Sequence, residues 1–344
     1  MLILIYMRQI IYFSIIILGL LFLVGYFLFS GNMQNIDDNQ KYIGHIDEIT
    51  IANIGEYSIH NLIAKENGYF NKNNLDANII EYPSGPPAVA DLLAGKVDFA
   101  VAADFVGVMN IFTNKDLRIL AELSKHEDFE VVARTDFGIN DPTNLKGKKI
   151  GVTKKGVGEF FLGRFLTFNN LRLEDIEVID LQPTEIVKQL ENGQIDAAVV
   201  FNPHIYTLRK SLGNKLIIWP AQDNQKVFAL LYTTNSFMAG HSDVVKRYIL
   251  SLIESEKFIK NNNSQAKVIL ANTMNYEDPY VNFIWPKFDF SISLDQALLL
   301  SMEDQARFAI DNKLISNKKI PNYLDNIYYL SLQEIAPEKI SIIH

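Results

Sequence analysis

Three carboxylates fall in loops that follow apolar, β-branched segments: Glu56, Asp104 and Glu159. If they converge, they disfavour a tetrahedral oxyanion and favour a neutral or cationic nitrogenous group held between aromatic faces. Tyr57, Phe105, Phe160, Tyr232 and Trp285 are the candidate faces. His60 and His204 lie on loops of the same kind and could each donate a hydrogen bond. The full candidate set is Gly55, Glu56, Tyr57, His60, Ser84, Gly85, Ala103, Asp104, Phe105, Gly156, Val157, Gly158, Glu159, Phe160, Asn202, His204 and Tyr232. Plainer roles compete for the same residues. Glu159 can cap its own helix, Glu56 can be solvated, and each aromatic can be core packing.

Other chemistry is excluded by what the chain lacks. It has no cysteine, hence no disulfide, thiolate metal site, cysteine nucleophile or lipidated N-terminal cysteine. Its six histidines form no HxxxH or HExxH pair, so no metal is expected. Gly156-Val157-Gly158 is a GxG without the third glycine of a dinucleotide fingerprint. There is no GxxxxGK[ST] loop and no GxSxG elbow, and no cofactor is implied. The formal net charge of -8 argues against nucleic acid as a partner.

The elements that must position these residues occur twice. Residues 46–54 read as a strand, 59–70 as a helical stretch, 75–82 as a strand, 88–94 as a helix and 97–102 as a strand. The same β-α-β-α-β order returns over 149–153, 160–168, 176–181, 186–190 and 195–201. Leu93-Ala94-Gly95-Lys96-Val97-Asp98-Phe99-Ala100-Val101 aligns directly with Glu191-Asn192-Gly193-Gln194-Ile195-Asp196-Ala197-Ala198-Val199. Alternating strands and helices predict parallel sheets, here two doubly wound α/β lobes. Ligands of such sheets bind beyond the carboxyl ends of the strands. The loops 55–60, 84–87, 103–105, 155–160 and 202–204 would therefore line one shared cleft. Two apolar stretches, 129–134 and 227–234, are expected to run side by side as a two-stranded hinge. The tail, 243–332, reads as mostly helical and should return to the first lobe. The expected organisation is 46–133 with 226–344 as lobe 1 and 134–225 as lobe 2.

Ahead of the lobes, residues 10–29 carry no charge and are long enough to span a bilayer, with Arg8 before them. This segment is expected to be an uncleaved signal-anchor helix or a cleaved signal peptide (1–30), followed by a polar tether (31–45). Either reading exports the body and makes residues 10–29 its contact with the membrane.

Several motifs then resemble one family in order. Ile63-Ala64-Lys65-Glu66-Asn67-Gly68-Tyr69-Phe70 followed by Asn74-Leu75-Asp76 is similar to "AxExGYFxxxGLD". Tyr82-Pro83-Ser84-Gly85 resembles that family's first hinge-side turn. Leu145-Lys146-Gly147-Lys148-Lys149-Ile150-Gly151-Val152 resembles its "LKGKxIGV". Asp196-Ala197 leading to Phe201-Asn202-Pro203 resembles its "DAxxxxxP". These strings typify substrate-binding proteins of ABC importers for nitrate, sulfonate, taurine and thiamine-pyrimidine precursors. The resemblance covers about residues 46–310. It implies a bilobal, type II periplasmic-binding-protein fold that closes on a small ligand and delivers it to a permease and its ATPase. A membrane-anchored ligand sensor or scaffold using the same cleft without transport is the alternative. The resemblance implies no enzyme, because the pyrimidine synthase among its relatives depends on a cysteine-rich motif. The chain departs from the sulfonate and nitrate branches at 156–160. Those branches place small hydroxyl residues at a helix N-terminus there, where this chain has Val157 and Glu159.

Overall fold

The computed structural model describes residues 44–343. The apolar run 10–29 and most of the polar segment after it lie outside the described residues. Among the described residues, no helix is long and apolar enough to cross a membrane.

The first unit opens with β1 (Asp47–Asn53), α1 (Ile59–Glu66), the single turn α2 (Tyr69–Lys72) and β2 (Leu75–Glu81). It continues through α3 (Gly85–Leu93), β3 (Phe99–Ala103), α4 (Asp104–Ile111) and β4 (Leu117–His126). The chain then passes into β5 (Glu130–Arg134), β6 (Lys149–Val152), α5 (Val157–Phe168) and β7 (Glu177–Asp180). After these come α6 (Pro183–Glu191), β8 (Ala197–Val200), α7 (His204–Leu212) and β9 (Leu216–Pro220). It returns through β10 (Val227–Thr234) to α8 (Asn235–Asn261), α9 (Asn263–Met274), α10 (Asp278–Ile284), β11 (Phe288–Asp289), α11 (Gln296–Asp311) and α12 (Leu330–Ile335).

Two sheets result, ordered β11-β4-β10-β3-β1-β2 and β7-β6-β8-β5-β9. The duplication is plain at their centres. β1 runs parallel to β2 and β3, and β6 runs parallel to β7 and β8. The aligned segments do the same work in both. Gly95 and Gly193 adopt φ of +69° and +70° to end their helices, with the paired backbone bonds of a Schellman cap. Three residues on, Asp98 accepts from the Thr50 N–H at 2.7 Å and Asp196 from the Lys149 N–H at 2.7 Å. Each aspartate thereby pins the start of a third strand to the central one.

Neither sheet is wholly parallel. β10 runs antiparallel to β3 and β4, and β5 antiparallel to β8 and β9. Each of these strands has just arrived from the other unit. A chain that crosses at the carboxyl ends of one sheet must enter the next sheet from that end, against its neighbours. The expected side-by-side pairing of 129–134 with 227–234 therefore does not form. Residues 130–133, expected with the first unit, hydrogen-bond in the second sheet.

The units are instead joined by two short connections, 127–129 and 221–226, and one side chain fastens these together. Gln222 is buried. Its Oε1 accepts from the N–H groups of Asp128 (2.7 Å) and Phe129 (2.8 Å). Its Nε2 donates to the carbonyls of His126 (3.1 Å) and Gln225 (2.8 Å). Every hydrogen-bonding capacity of the amide is used.

The helical tail packs against the first unit. Val244, Tyr248, Leu252 and Ile253 on α8 and Leu294, Leu298, Met302 and Ala306 on and beside α11 are all buried. Tyr248 also donates to Asn61 Oδ1 on α1 at 2.7 Å. α11 does more: Phe308 packs against Phe105 and Phe160, and a Cβ on Gly163 would lie 2.2 Å from its ring. A buried aromatic cluster thus joins α4, α5 and α11 across the two units.

Replacing Gln222 with Leu leaves two N–H groups and two carbonyls at the connections without their partner. We expect a loss of roughly 2–3 kcal/mol in unfolding free energy, read as a lowered denaturant midpoint.

Candidate functional site

The carboxyl ends of the two sheets face each other across a cavity of about 50 Å³, room for a few waters. Tyr57, Ser84, Gly85, Ala103 and His126 line it from the first unit, and Thr153, Gly156, Val157, Gly158, Pro183 and Phe201 from the second. Phe129 lines it from a connection. Three helices start at its wall: α3 after its N-cap Ser84, α5 after Gly156 and α6 after Gln182. Ser84 Oγ donates to Gln182 Oε1 at 2.8 Å, a tie between the two units. Close packing at the wall explains the glycines. A Cβ on Gly85 would sit 2.8 Å from the Ala102 Cβ, and one on Gly156 3.1 Å from the Thr153 carbonyl oxygen.

The inner end of the cavity is aromatic and polar together. Tyr57 stacks on His126 with ring centroids 4.3 Å apart and planes within 10°. Phe288 packs beside both rings, 4.8 Å from His126 and 5.6 Å from Tyr57, and Phe201 lies 5.6 Å from Tyr57 and 5.2 Å from Phe129. The Tyr57 hydroxyl donates to Asp128 Oδ2 at 2.9 Å. Burial pushes the Asp128 carboxyl up to about 8, with the nearby Glu56 adding to the rise. Burial pushes His126 down to about 3. Both groups are therefore mostly uncharged near neutrality.

The three carboxylates singled out in the sequence do not meet here. Glu56 is buried behind the wall and accepts from the hydroxyls of Tyr280 (2.9 Å) and Tyr276 (3.1 Å). Asp104 is fully buried and accepts from Ser301 Oγ (3.0 Å), Gln305 Nε2 (2.8 Å) and the Phe105 N–H (3.0 Å). Burial raises both carboxyls to about 7. Glu159 turns back toward the start of its own helix to accept from the N–H of Lys155, the residue before the N-cap, at 2.8 Å, and burial raises its carboxyl too.

The remaining candidates divide. Tyr57, Ser84, Gly85, Ala103, Gly156, Val157 and Gly158 line the cavity. Gly55 sits beside the wall and donates its N–H to Glu81 Oε2 at 3.0 Å. Asn202 is buried next to Phe201, and the His204 ring meets Phe201 edge-on at 5.4 Å. His60 is fully buried with its Nε2 3.0 Å from the Phe290 carbonyl oxygen. Phe105 and Phe160 belong to the interunit aromatic cluster. Tyr232 is core, donating to the Ala103 carbonyl at 3.3 Å, and Trp285 packs on Phe290.

The NMT1/THI5-like family model matches residues 56–267. The chain belongs to the NMT1/THI5-like family. A Brucella abortus protein with a provisional designation as a binding protein is 29% identical over 218 residues, covering 62% of this chain and 67% of that one. The taurine-binding periplasmic protein of Escherichia coli is 26% identical over 204 residues, 57% of this chain and 60% of that one. The alkanesulfonate-binding protein SsuA from Xanthomonas axonopodis pv. citri, solved with MOPS bound, shares the fold. Its TM-score is 0.73 at 15% identity, covering 83% of this chain and 99% of that chain.

For this NMT1/THI5-like chain, sequence reasoning missed His126, Asp128, Gln182 and Gln222. His126 ends β4, and the rule that sites lie beyond strand carboxyl ends points to it once that strand is recognised. Asp128 and Gln222 stand in short connections without periodicity, and only the sheet pairing brings them together.

The buried acids set a pH dependence. The folded carboxyls of Asp104 and Glu56 hold protons more tightly than unfolded ones, so stability is full below the unfolded pKa and is lost as pH rises through about 7. His60 and His126, pushed down to about 4 and about 3, act oppositely and only below about pH 6.5. Between about pH 6.5 and 8 the carboxyls dominate. Asp104→Asn should remove about 1 kcal/mol of the decline over that window, seen as a flatter profile of denaturant midpoint against pH. Gln305 Oε1, which has no partner, is free to accept from the new amide.

Proposed function

We propose that this chain is the extracytoplasmic substrate-binding component of an ABC-type importer. It takes a small ligand between its units and hands it to a membrane permease and its ATPase. The observation that carries the reading is a cavity walled by strand ends and helix N-termini of both units, between which the chain crosses twice through short connections. Such an arrangement exchanges ligand when the walls part and traps it when they close. Residues 44–126 with 227–343 act as one lobe and 130–220 as the other. The wall is largely apolar, so the ligand carries an apolar or aromatic body; a nitrogenous or sulfonate-class compound fits that description. The names of the Brucella, Escherichia and Xanthomonas proteins support a binding role, and one of them a periplasmic location. In this reading residues 10–29 direct the chain to the membrane, as a retained anchor or a removed signal.

Native mass spectrometry of the chain purified without denaturation tests the proposal. A one-to-one adduct of a small molecule is expected, released on unfolding. Tyr57→Ala should weaken that adduct about fivefold or more through the lost ring contact. A chain that never carries an adduct, from any host extract, would count against a binding role.

A further inference from the structure

Beside the cavity wall a set of buried polar atoms has nothing to bond to. Asn202 leaves both side-chain atoms unmet, His126 leaves both ring nitrogens unmet, and Asp128 Oδ1 has no well-aligned donor, with only the Asn202 backbone N–H near its carboxyl. All three residues are about 1% exposed. His126 lines the cavity, Asp128 adjoins Phe129 and Asn202 adjoins Phe201, both lining residues. The His126 Nε2 and Asp128 Oδ1 atoms stand 3.5 Å apart, too far for a good hydrogen bond. The contrast with Gln222, which accepts from the Asp128 N–H, is direct, since that amide uses every bond it can make. Folded chains rarely keep buried donors and acceptors unmet, and clusters of them mark places where a partner arrives.

Building on the cleft reading above, we infer that His126, Asp128 and Asn202 select a ligand head that both donates and accepts hydrogen bonds and carries no fixed negative charge. The chemistry follows from the inventory of unmet atoms. Asn202 Oδ1 accepts, Asn202 Nδ2 donates, and the protonated Asp128 carboxyl and a neutral imidazole each offer one donor and one acceptor. A sulfonate presents acceptors alone and would leave the protein's own acceptors buried and unpaired. No lysine or arginine lines the cavity to offset its charge. The charged groups that act on Asp128 are Glu56, which opposes a second negative charge, and Lys287. The N-termini of α3 and α5 supply further donors at the wall. Acceptor atoms elsewhere on a ligand are met there, and the unmet acceptors at the inner end remain to be matched.

Two probes with similar short alkyl tails separate the possibilities: butyramide and butanesulfonate, followed by saturation-transfer NMR on the full chain in mild detergent. Transfer to butyramide is expected, at least fivefold stronger than to butanesulfonate, and lost in Asn202→Leu and His126→Phe. The ligand-free chain supplies a second readout. Removing an unmet buried amide should raise the thermal midpoint of Asn202→Leu by about 2 °C or more. Equal or stronger transfer to butanesulfonate overturns the inference and leaves the cleft reading standing. A lowered midpoint in both variants shows that the groups hold the fold together, which also overturns it. Absence of transfer to either probe, in a chain that carries no native adduct, removes the cleft reading and this inference together.

Discussion

The two connections between the units lie side by side because a single amide holds both. Gln222 bonds the backbone of the outgoing strand end at His126, the outgoing connection at Asp128 and Phe129, and its own connection at Gln225. The position of the cavity's inner end depends on this fastening. His126, Asp128 and Phe129 are the residues it grips, and they are also the residues that meet Tyr57 and Phe201. A side chain that fixes the joint therefore also fixes the polar floor. In a low-dielectric interior a fully satisfied amide rigidifies its surroundings, whereas a partly satisfied one destabilises them. Gln222 and Asn202 illustrate both cases within one small region.

Buried carboxyls serve the architecture in a second way. The loops after β1 and β3 must be held at the cleft end without blocking it. Glu56 docks the first onto Tyr276 and Tyr280, and Asp104 docks the second onto Ser301 and Gln305. The C-terminal helices thus support the wall from behind. Among the described residues no cation pairs with either acid through a salt bridge, so no ion pair offsets the burial that raises both carboxyls to about 7. The burial that raises these carboxyls is the same burial that keeps them out of the cavity.

Much of the fold was legible because it is periodic and repeated. The two β-α-β-α-β runs, the Gly-to-Asp segments at 95–98 and 193–196, and the apolar faces of the tail helices all express spacing that sequence retains. The cavity-lining glycines and Ser84 were legible too, since loops after strands at the carboxyl ends form a small set. Direction of pairing was not legible. Residues 129–134 and 227–234 look alike in composition, yet each inserts into a different sheet, and nothing local records which way a strand enters. Side-chain heading was equally hidden. Glu56, Asp104 and Glu159 occupy cleft loops, but each turns toward a partner that lies four to more than two hundred residues away in sequence.

The antiparallel strand in the middle of the first sheet has a consequence for how the chain is made. β4 reaches β3 only through β10, which follows the whole of the second unit. During synthesis from the N-terminus, every strand of the second sheet is available before the first sheet can close. The unit that is encoded in the middle can thus finish first. The earlier segment waits with β3 and β4 both unpaired on the sides that face β10, and unpaired strand edges of this kind are what associate wrongly in nascent chains.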